Sequence, residues 1–168
     1  MVPRTRSSTR GQLDGLLGYQ LRRASAAMTA DFTNELGAVK LRPVQFAILS
    51  LVADNQWISQ SQLCRELSVQ KANMAPLVSE LERRGLLARE PAPRDRRVQM
   101  LTLTGESERQ LPIWRKLVAK HEARFFGALT ANERDDMIRL LRKLWIGDDS
   151  EAVTAKAVKA PGAGKKVA

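Results

Sequence analysis

Acid–base, nucleophilic and metal chemistry all need residue types that this sequence barely holds. There is one histidine, His121, and one cysteine, Cys64. A lone histidine and a lone cysteine make neither a four-ligand metal site nor an oriented nucleophile–base pair. No glycine-rich phosphate loop or paired metal-ligand spacing occurs either, so the residues argue against an enzyme and call for no cofactor. What the sequence does concentrate is cations and amides. In PAPRDRRVQMLTLT, residues 91–104, Arg94, Arg96 and Arg97 follow two prolines and run into an alternating apolar stretch. Upstream, Gln70, Lys71, Asn73 and Ala75 form a short polar stretch. Guanidinium groups bind phosphate, Asn and Gln pair bidentately with adenine, and alanine meets a thymine methyl.

Composition agrees with a polyanionic partner. The 168 residues carry 28 Lys and Arg against 18 Asp and Glu, a net charge of +10. Such a balance suits nucleic acid or an anionic membrane surface. Residues 1–12 form a basic arm with Arg4, Arg6 and Arg10 and no acid. Residues 147–168 are rich in Ala and Lys and hold no apolar group larger than valine. That composition cannot offset ordering entropy, so a disordered tail is expected. Residues 13–146 keep a charge of +6 after both ends are set aside. No apolar run is long enough to span a bilayer, and MVPRTRSSTRGQ lacks the apolar core of a signal peptide. A cytoplasmic protein is expected, with no intrachain disulfide.

The elements that must position these groups are legible from periodicity. Leu13, Leu16, Leu17, Leu21, Ala24, Met28 and Phe32 recur at helical steps, and Gly37 reads as the stop. RPVQFAILSLVADN reads as a second helix, with Pro43 in its first turn and Phe46, Leu49 and Val52 on one stripe. In SQSQLCRELS, Ser59 and Gln62 match a capping box. VQKANMAPLVSELERRG carries Met74, Leu77, Val78 and Leu81 on one face and Gly85 as a C-cap. Two short helices joined so closely form a helix-turn-helix pattern. Pro76 falls inside the second of them, where it removes a backbone hydrogen bond. LLARE and VQMLTLT then read as two strands. Thr104 caps a long helix with Leu111, Trp114, Leu117, Val118, His121, Phe125 and Leu129 on one stripe, bent at Pro112. Thr130 and Glu133 make a second capping box before a last helix with Met137, Ile138, Leu141, Leu144 and Trp145.

A basic hairpin directly after a helix-turn-helix is a wing. The helix reads base edges in the major groove while the arginine tip reaches the minor groove or the backbone. Asp95 would hold one wing guanidinium in place. At this point LERRGLLAREPAPRDRRVQMLTLT resembles the multiple antibiotic resistance regulator (MarR) family of winged-helix repressors. The positions that carry the resemblance are Leu81, Glu82, Gly85, Leu86, Arg89, Asp95, Arg97, Leu103 and Thr104. The element order matches from about residue 13 to 146. Two departures stand out: Ser107 where the family usually has glycine, and Pro76. The resemblance implies a mainly α fold with a small β-hairpin, a winged helix-turn-helix of about residues 43–104 flanked by dimerisation helices.

Each candidate residue then takes a role. Ser59, Gln60 and Ser61, Gln70, Lys71, Asn73 and Ala75, and Arg94, Arg96 and Arg97 form the expected surface for double-stranded DNA. The family's dimer implies an interface containing Leu16, His121, Phe125, Leu141 and Trp145, with His121 a satisfied interface histidine. Two such units would read a palindrome. Cys64, between apolar neighbours, reads as a small packing residue. LGYQLRRA and RPVQFAIL resemble a subgroup that controls aromatic-acid and phenylpropanoid catabolism and includes sensors of acyl-CoA thioesters. The implied effector is an aromatic acid or its CoA thioester, with Arg22 and Arg23 on the acidic end and Phe46 and Trp114 on the ring. The competing reading is an architectural or RNA-binding winged helix with no small-molecule switch.

Overall fold

The computed structural model describes residues 11–55, 57–92 and 97–145. Most of the arm, the tail, and Arg94, Asp95 and Arg96 lie outside the described residues. Among the described residues, those up to Phe125 form one compact unit and those from Phe126 a second.

A 3₁₀ turn at Gly11–Gly15 leads into helix α1, Leu17–Leu36. The α-helix ends at Leu36 with Gly37 as its C-cap, where the sequence placed the stop. Gly37 stays right-handed, at φ −59°, and opens a further 3₁₀ turn, Gly37–Val39. The left-handed residue that ends the run is Lys40, φ 52°, whose N–H donates to the Gly37 carbonyl. Helix α2, Pro43–Asp54, starts with its proline at a position that needs no N–H donor. The buried Gln45 accepts the Arg42 N–H at 3.0 Å and closes that first turn.

Strand β1, Ile58–Ser59, is only two residues long and pairs antiparallel with β3. The sheet therefore has three strands where the sequence suggested two. Two residues are too few to show an alternating pattern. Helix α3 is Gln60–Glu66 and α4 is Lys71–Arg83. Strands β2, Leu87–Pro91, and β3, Gln99–Leu103, form the hairpin, and the sheet order β1-β3-β2 puts β2 on an edge. An edge is where Pro91 is tolerated, since it has no N–H to give a neighbour.

Helix α5, Gly105–Phe125, begins as the Thr104 cap implies. The Thr104 hydroxyl accepts the Ser107 N–H at 3.3 Å and donates to the Gly85 carbonyl at 2.6 Å. Ser107, fully buried, donates its own hydroxyl to the Leu86 carbonyl at 2.6 Å. The serine thus ties the start of α5 to the base of the hairpin. The helix ends at Phe125, so Leu129 lies beyond it. Pro112 lies within α5 on an exposed side. Helix α6, Ala131–Trp145, in the second unit, has the expected cap: Thr130 N–H and hydroxyl both donate to Glu133, at 2.7 and 2.8 Å. Those two bonds, the backbone one first, hold the Glu133 carboxyl below its ordinary range.

The core of the first unit gathers Leu36, Ile48, Leu49, Leu63, Met74, Val78, Leu81 and Leu101 around Phe32, Leu111 and Trp114. Cys64 is half-buried and packs against this cluster. His121 belongs to the same unit. Its ring is fully buried, edge-on to Phe32 at 5.3 Å and stacked on Phe125 at 5.8 Å. The groups that cover it here, Phe32, Phe125 and Asp31, all belong to its own chain. Nδ1 donates to Asp31 at 2.7 Å, while Nε2 has no hydrogen-bond partner among the described residues.

Asp31 and Glu35 on α1 form a charged seam with Lys120 and Arg124 on α5. Arg124, then His121, hold the Asp31 carboxyl below the usual carboxylate range. Lys120, then Arg124, do the same to Glu35. Lowered carboxylates contribute stability above their unfolded values and lose it as pH falls through the folded ones. The melting temperature should therefore drop on acidification below roughly pH 5. Asp31→Asn should be less stable at neutral pH and show a shallower acid limb in calorimetry. An acid limb identical to wild type would remove Asp31 from this account.

Candidate nucleic-acid interface

The helix-turn-helix is set by two backbone caps of the same kind. After α3, Ser68 adopts the left-handed conformation, φ 50°. Val69 N–H reaches the Cys64 carbonyl at 3.0 Å and Ser68 N–H the Arg65 carbonyl at 3.2 Å. After α4, Gly85 does the same at φ 68°, with Leu86 N–H on the Leu81 carbonyl and Gly85 N–H on Glu82, both at 2.9 Å. This paired arrangement satisfies the orphan carbonyls of a helix end and turns the chain sharply. Glycine meets the left-handed position without strain, whereas Ser68 bears a Cβ there.

Met74, Val78 and Leu81 are buried along one face of α4, which leaves Lys71, Asn73, Ala75 and Pro76 exposed. Gln70, also exposed, is the residue preceding the first turn. Pro76 is the sixth residue of the helix, and the helix continues through it. The proline has no N–H for the Ala72 carbonyl, which lies on an exposed residue where water can serve. Burial of three apolar side chains at about 1.5–3 kcal/mol each outweighs the ~3 kcal/mol cost of an interior proline.

The preceding helix is capped as its sequence implies. Ser59 Oγ accepts the Gln62 N–H at 3.3 Å, and Gln62 Oε1 accepts the Ser59 N–H at 2.8 Å. This occupies Ser59, leaving Gln60, half-buried, and Ser61, exposed, as the outward polar groups. Arg89 on β2 donates to Glu82 Oε1 at 2.7 Å and to Gln60 Oε1 at 3.2 Å, joining α3, α4 and the hairpin. The sequence pattern contained Glu82 and Arg89 but not the contact of Arg89 with Gln60. Arg84, at the end of α4, donates to the Lys40 and Val39 carbonyls at 2.9 and 3.1 Å. The hairpin narrows with Ala92 N–H on the Val98 carbonyl at 2.8 Å, and Arg97 is exposed beside it.

Of the expected effector residues, the two aromatics belong to one hydrophobic cluster and the two arginines lie on the surface. Trp114 is in the core at 4% exposure, and Phe46 is half-buried, 6.4 Å from Phe32. Arg22 and Arg23 are exposed on α1, with Arg23 over its own neighbour Tyr19 at 5.8 Å. Trp114 packs in the core cluster in this arrangement. A separate groove of about 550 Å³ lies between the end of α2, β3 and the start of α5, flanked by Trp57 and Arg115. The apolar strips are open: Leu16 and Leu17 near the start of α1, and Ile138, Leu144 and Trp145 on α6. Phe125 and Leu141 are half-buried. Among the described residues no single helix is long and apolar enough to cross a membrane. No group of three or more His, Cys, Asp or Glu side chains among them could hold a metal ion.

Known proteins share this arrangement. The putative transcriptional regulatory protein for the hcr operon of Thauera aromatica is 30% identical over 139 residues, 82% of this chain and 84% of its own length. The transcriptional repressor CouR, solved bound to a 23-mer DNA duplex, is 34% identical with a TM-score of 0.77, over 82% of this chain and 98% of that one. CouR bound to p-coumaroyl-CoA gives 32% and 0.75, over 82% and 97%. BpsR of Bordetella bronchiseptica, whose DNA binding is regulated by 6-hydroxynicotinic acid, is 28% identical with a TM-score of 0.74, over 79% and 95%. A MarR family model matches residues 40–98, from the α1–α2 corner through the helix-turn-helix to the hairpin. Fold, element order and relatives agree: this winged helix-turn-helix chain belongs to the MarR family.

Proposed function

We propose that the protein is a homodimeric, ligand-responsive transcriptional regulator, a cytoplasmic repressor and not an enzyme, that binds a palindromic DNA site. The observation that carries this reading is the exposed polar face of α4, Lys71, Asn73 and Ala75, beside a hairpin that leads to Arg97. Lys71, Asn73 and Ala75, with Gln70 at the helix start, read base edges and phosphates in the major groove. Gln60 and Ser61 hold the backbone alongside, with Ser59 confined to its cap. Arg97, flanked by Arg94 and Arg96 and with Asp95 as a brace, enters the minor groove. The open apolar strips of α1 and α6 pair with a second copy, so that two recognition helices meet two half-sites.

The effector class is an aromatic acid or its CoA thioester. Support comes from the relatives solved with p-coumaroyl-CoA and regulated by 6-hydroxynicotinic acid. Arg22 and Arg23 supply exposed cations for the acidic end and Phe46 a ring contact. With Trp114 packed in the core, it contributes only if the effector displaces neighbouring side chains. Release requires the effector to favour the non-binding conformation, and a tenfold loss of DNA affinity needs about 1.4 kcal/mol of such preference.

Selection of duplexes from a random pool by the wild-type protein is the test. An inverted repeat is expected, and shape-only binding with no consensus would favour the architectural reading. On the selected duplex, Arg97→Ala should lower the slope of log K against log salt by about one. A gel shift with free phenolic and pyridine carboxylic acids and their thioesters should show release by at least one. No release at millimolar concentration rejects the effector class.

A further inference from the structure

We infer that Arg89 is a positioning residue for DNA recognition: it locks the Gln60 carboxamide with its oxygen turned inward, so that only the NH₂ end remains to meet a phosphate. The inference rests on the proposed DNA-binding role and adds a residue to that surface which acts without touching DNA. Arg89 Nε is committed to Glu82 Oε1 at 2.7 Å, and a second guanidinium nitrogen reaches Gln60 Oε1 at 3.2 Å. Guanidinium nitrogens only donate, so the Gln60 atom facing them must be the acceptor oxygen. An unrestrained carboxamide presents its oxygen or its nitrogen to a neighbour with little preference. Against a phosphate the oxygen end repels and the nitrogen end donates. The lock removes the wrong rotamer before DNA arrives, as preorganisation should.

Glu82 is the anchor of the lock. It lies on the last turn of α4, with its side chain 27% exposed, and holds the guanidinium whose side chain is 37% exposed. The planar fork of arginine puts a separate nitrogen on each acceptor, whereas a lysine has a single ammonium nitrogen to share between them. The three residues come from α3, α4 and β2.

This assignment makes a prediction opposite in sign to simple electrostatics. Glu82→Gln removes a negative charge from a DNA-facing lobe, which by charge alone should tighten binding. If Arg89 loses its anchor and Gln60 its lock, binding should weaken instead, by about fivefold. The experiment measures affinity for the wild-type-selected duplex by fluorescence anisotropy at fixed salt. Glu82→Gln and Arg89→Lys should each weaken binding, and the lysine variant, which keeps the charge, should keep the salt slope. In a Gln60→Ala background neither change should weaken binding further. Circular dichroism and melting of each variant establish that α3, α4 and the hairpin remain folded. Wild-type-like or tighter binding by Glu82→Gln, or additive losses with Gln60→Ala, overturns the lock. A wild-type protein that selects no duplex overturns the DNA-binding reading and the lock together.

Discussion

Trp145→Ala is expected to leave each chain folded and to dissociate the dimer. The indole is 65% exposed in the single chain, and Leu144 beside it is 70% exposed. Truncating it therefore removes little from intrachain packing. In a two-fold assembly the same ring is covered twice, once from each copy. Losing a fully covered aromatic costs about 3–5 kcal/mol. Counted for both copies, the loss is on the order of 6 kcal/mol or more, which raises the dimer dissociation constant by roughly 10⁴-fold. Sedimentation at submicromolar protein should show a monomer with an unchanged helical spectrum, and DNA affinity should fall with the lost second half-site. A dimer that persists at nanomolar concentration would move the interface away from the end of α6.

Leu63→Ala should be the most damaging of the small changes near the recognition surface. Leu63 is wholly buried, on the one face of α3 that joins the core. A leucine truncation at such a site costs about 2–5 kcal/mol, which corresponds to a fall of roughly 10 °C in melting temperature. The adjacent Cys64, half-buried, offers the contrast. Cys64→Ala should cost no more than about 1 kcal/mol, and should leave DNA binding intact. Equal losses at the two positions would contradict the burial pattern of α3.

What the chain revealed before folding was what depends on near neighbours. Ser59 with Gln62 and Thr130 with Glu133 were legible because a capping box closes over three residues. The face of α4 was legible because its apolar spacing is regular, and this periodicity correctly outweighed Pro76. Gly85 was legible as a left-handed stop, yet Gly37 was not one and Ser68 was. Backbone handedness follows the tertiary path, and a glycine permits that conformation without requiring it. Strand β1 escaped notice because its pairing partner, β3, lies some forty residues on and supplies all its regularity. A still longer separation hid the hydrogen-bond partner of His121. An apolar stripe placed the ring inward, but Asp31 is 90 residues away in sequence, so nothing local pointed to it. The arginine tip was clear as chemistry, and of its members Arg97 alone is among the described residues.

The two hydrogen bonds from Arg84 have a mechanical consequence. They fasten the far end of the recognition helix to the Val39 and Lys40 carbonyls, where α1 has ended and α2 has not begun. Lys40 sits there in the left-handed conformation, and Arg42, two residues on, is paired with Glu80 one turn before Arg84. The recognition helix is thus hinged at one end like a door leaf on its frame, and the frame is the corner between the first two helices. Any displacement of α1 that swings this corner carries the Arg84 end of α4 with it, while the end bearing Lys71 and Asn73 travels the longer arc. A small movement at the corner is thereby magnified at the two residues proposed to read the bases.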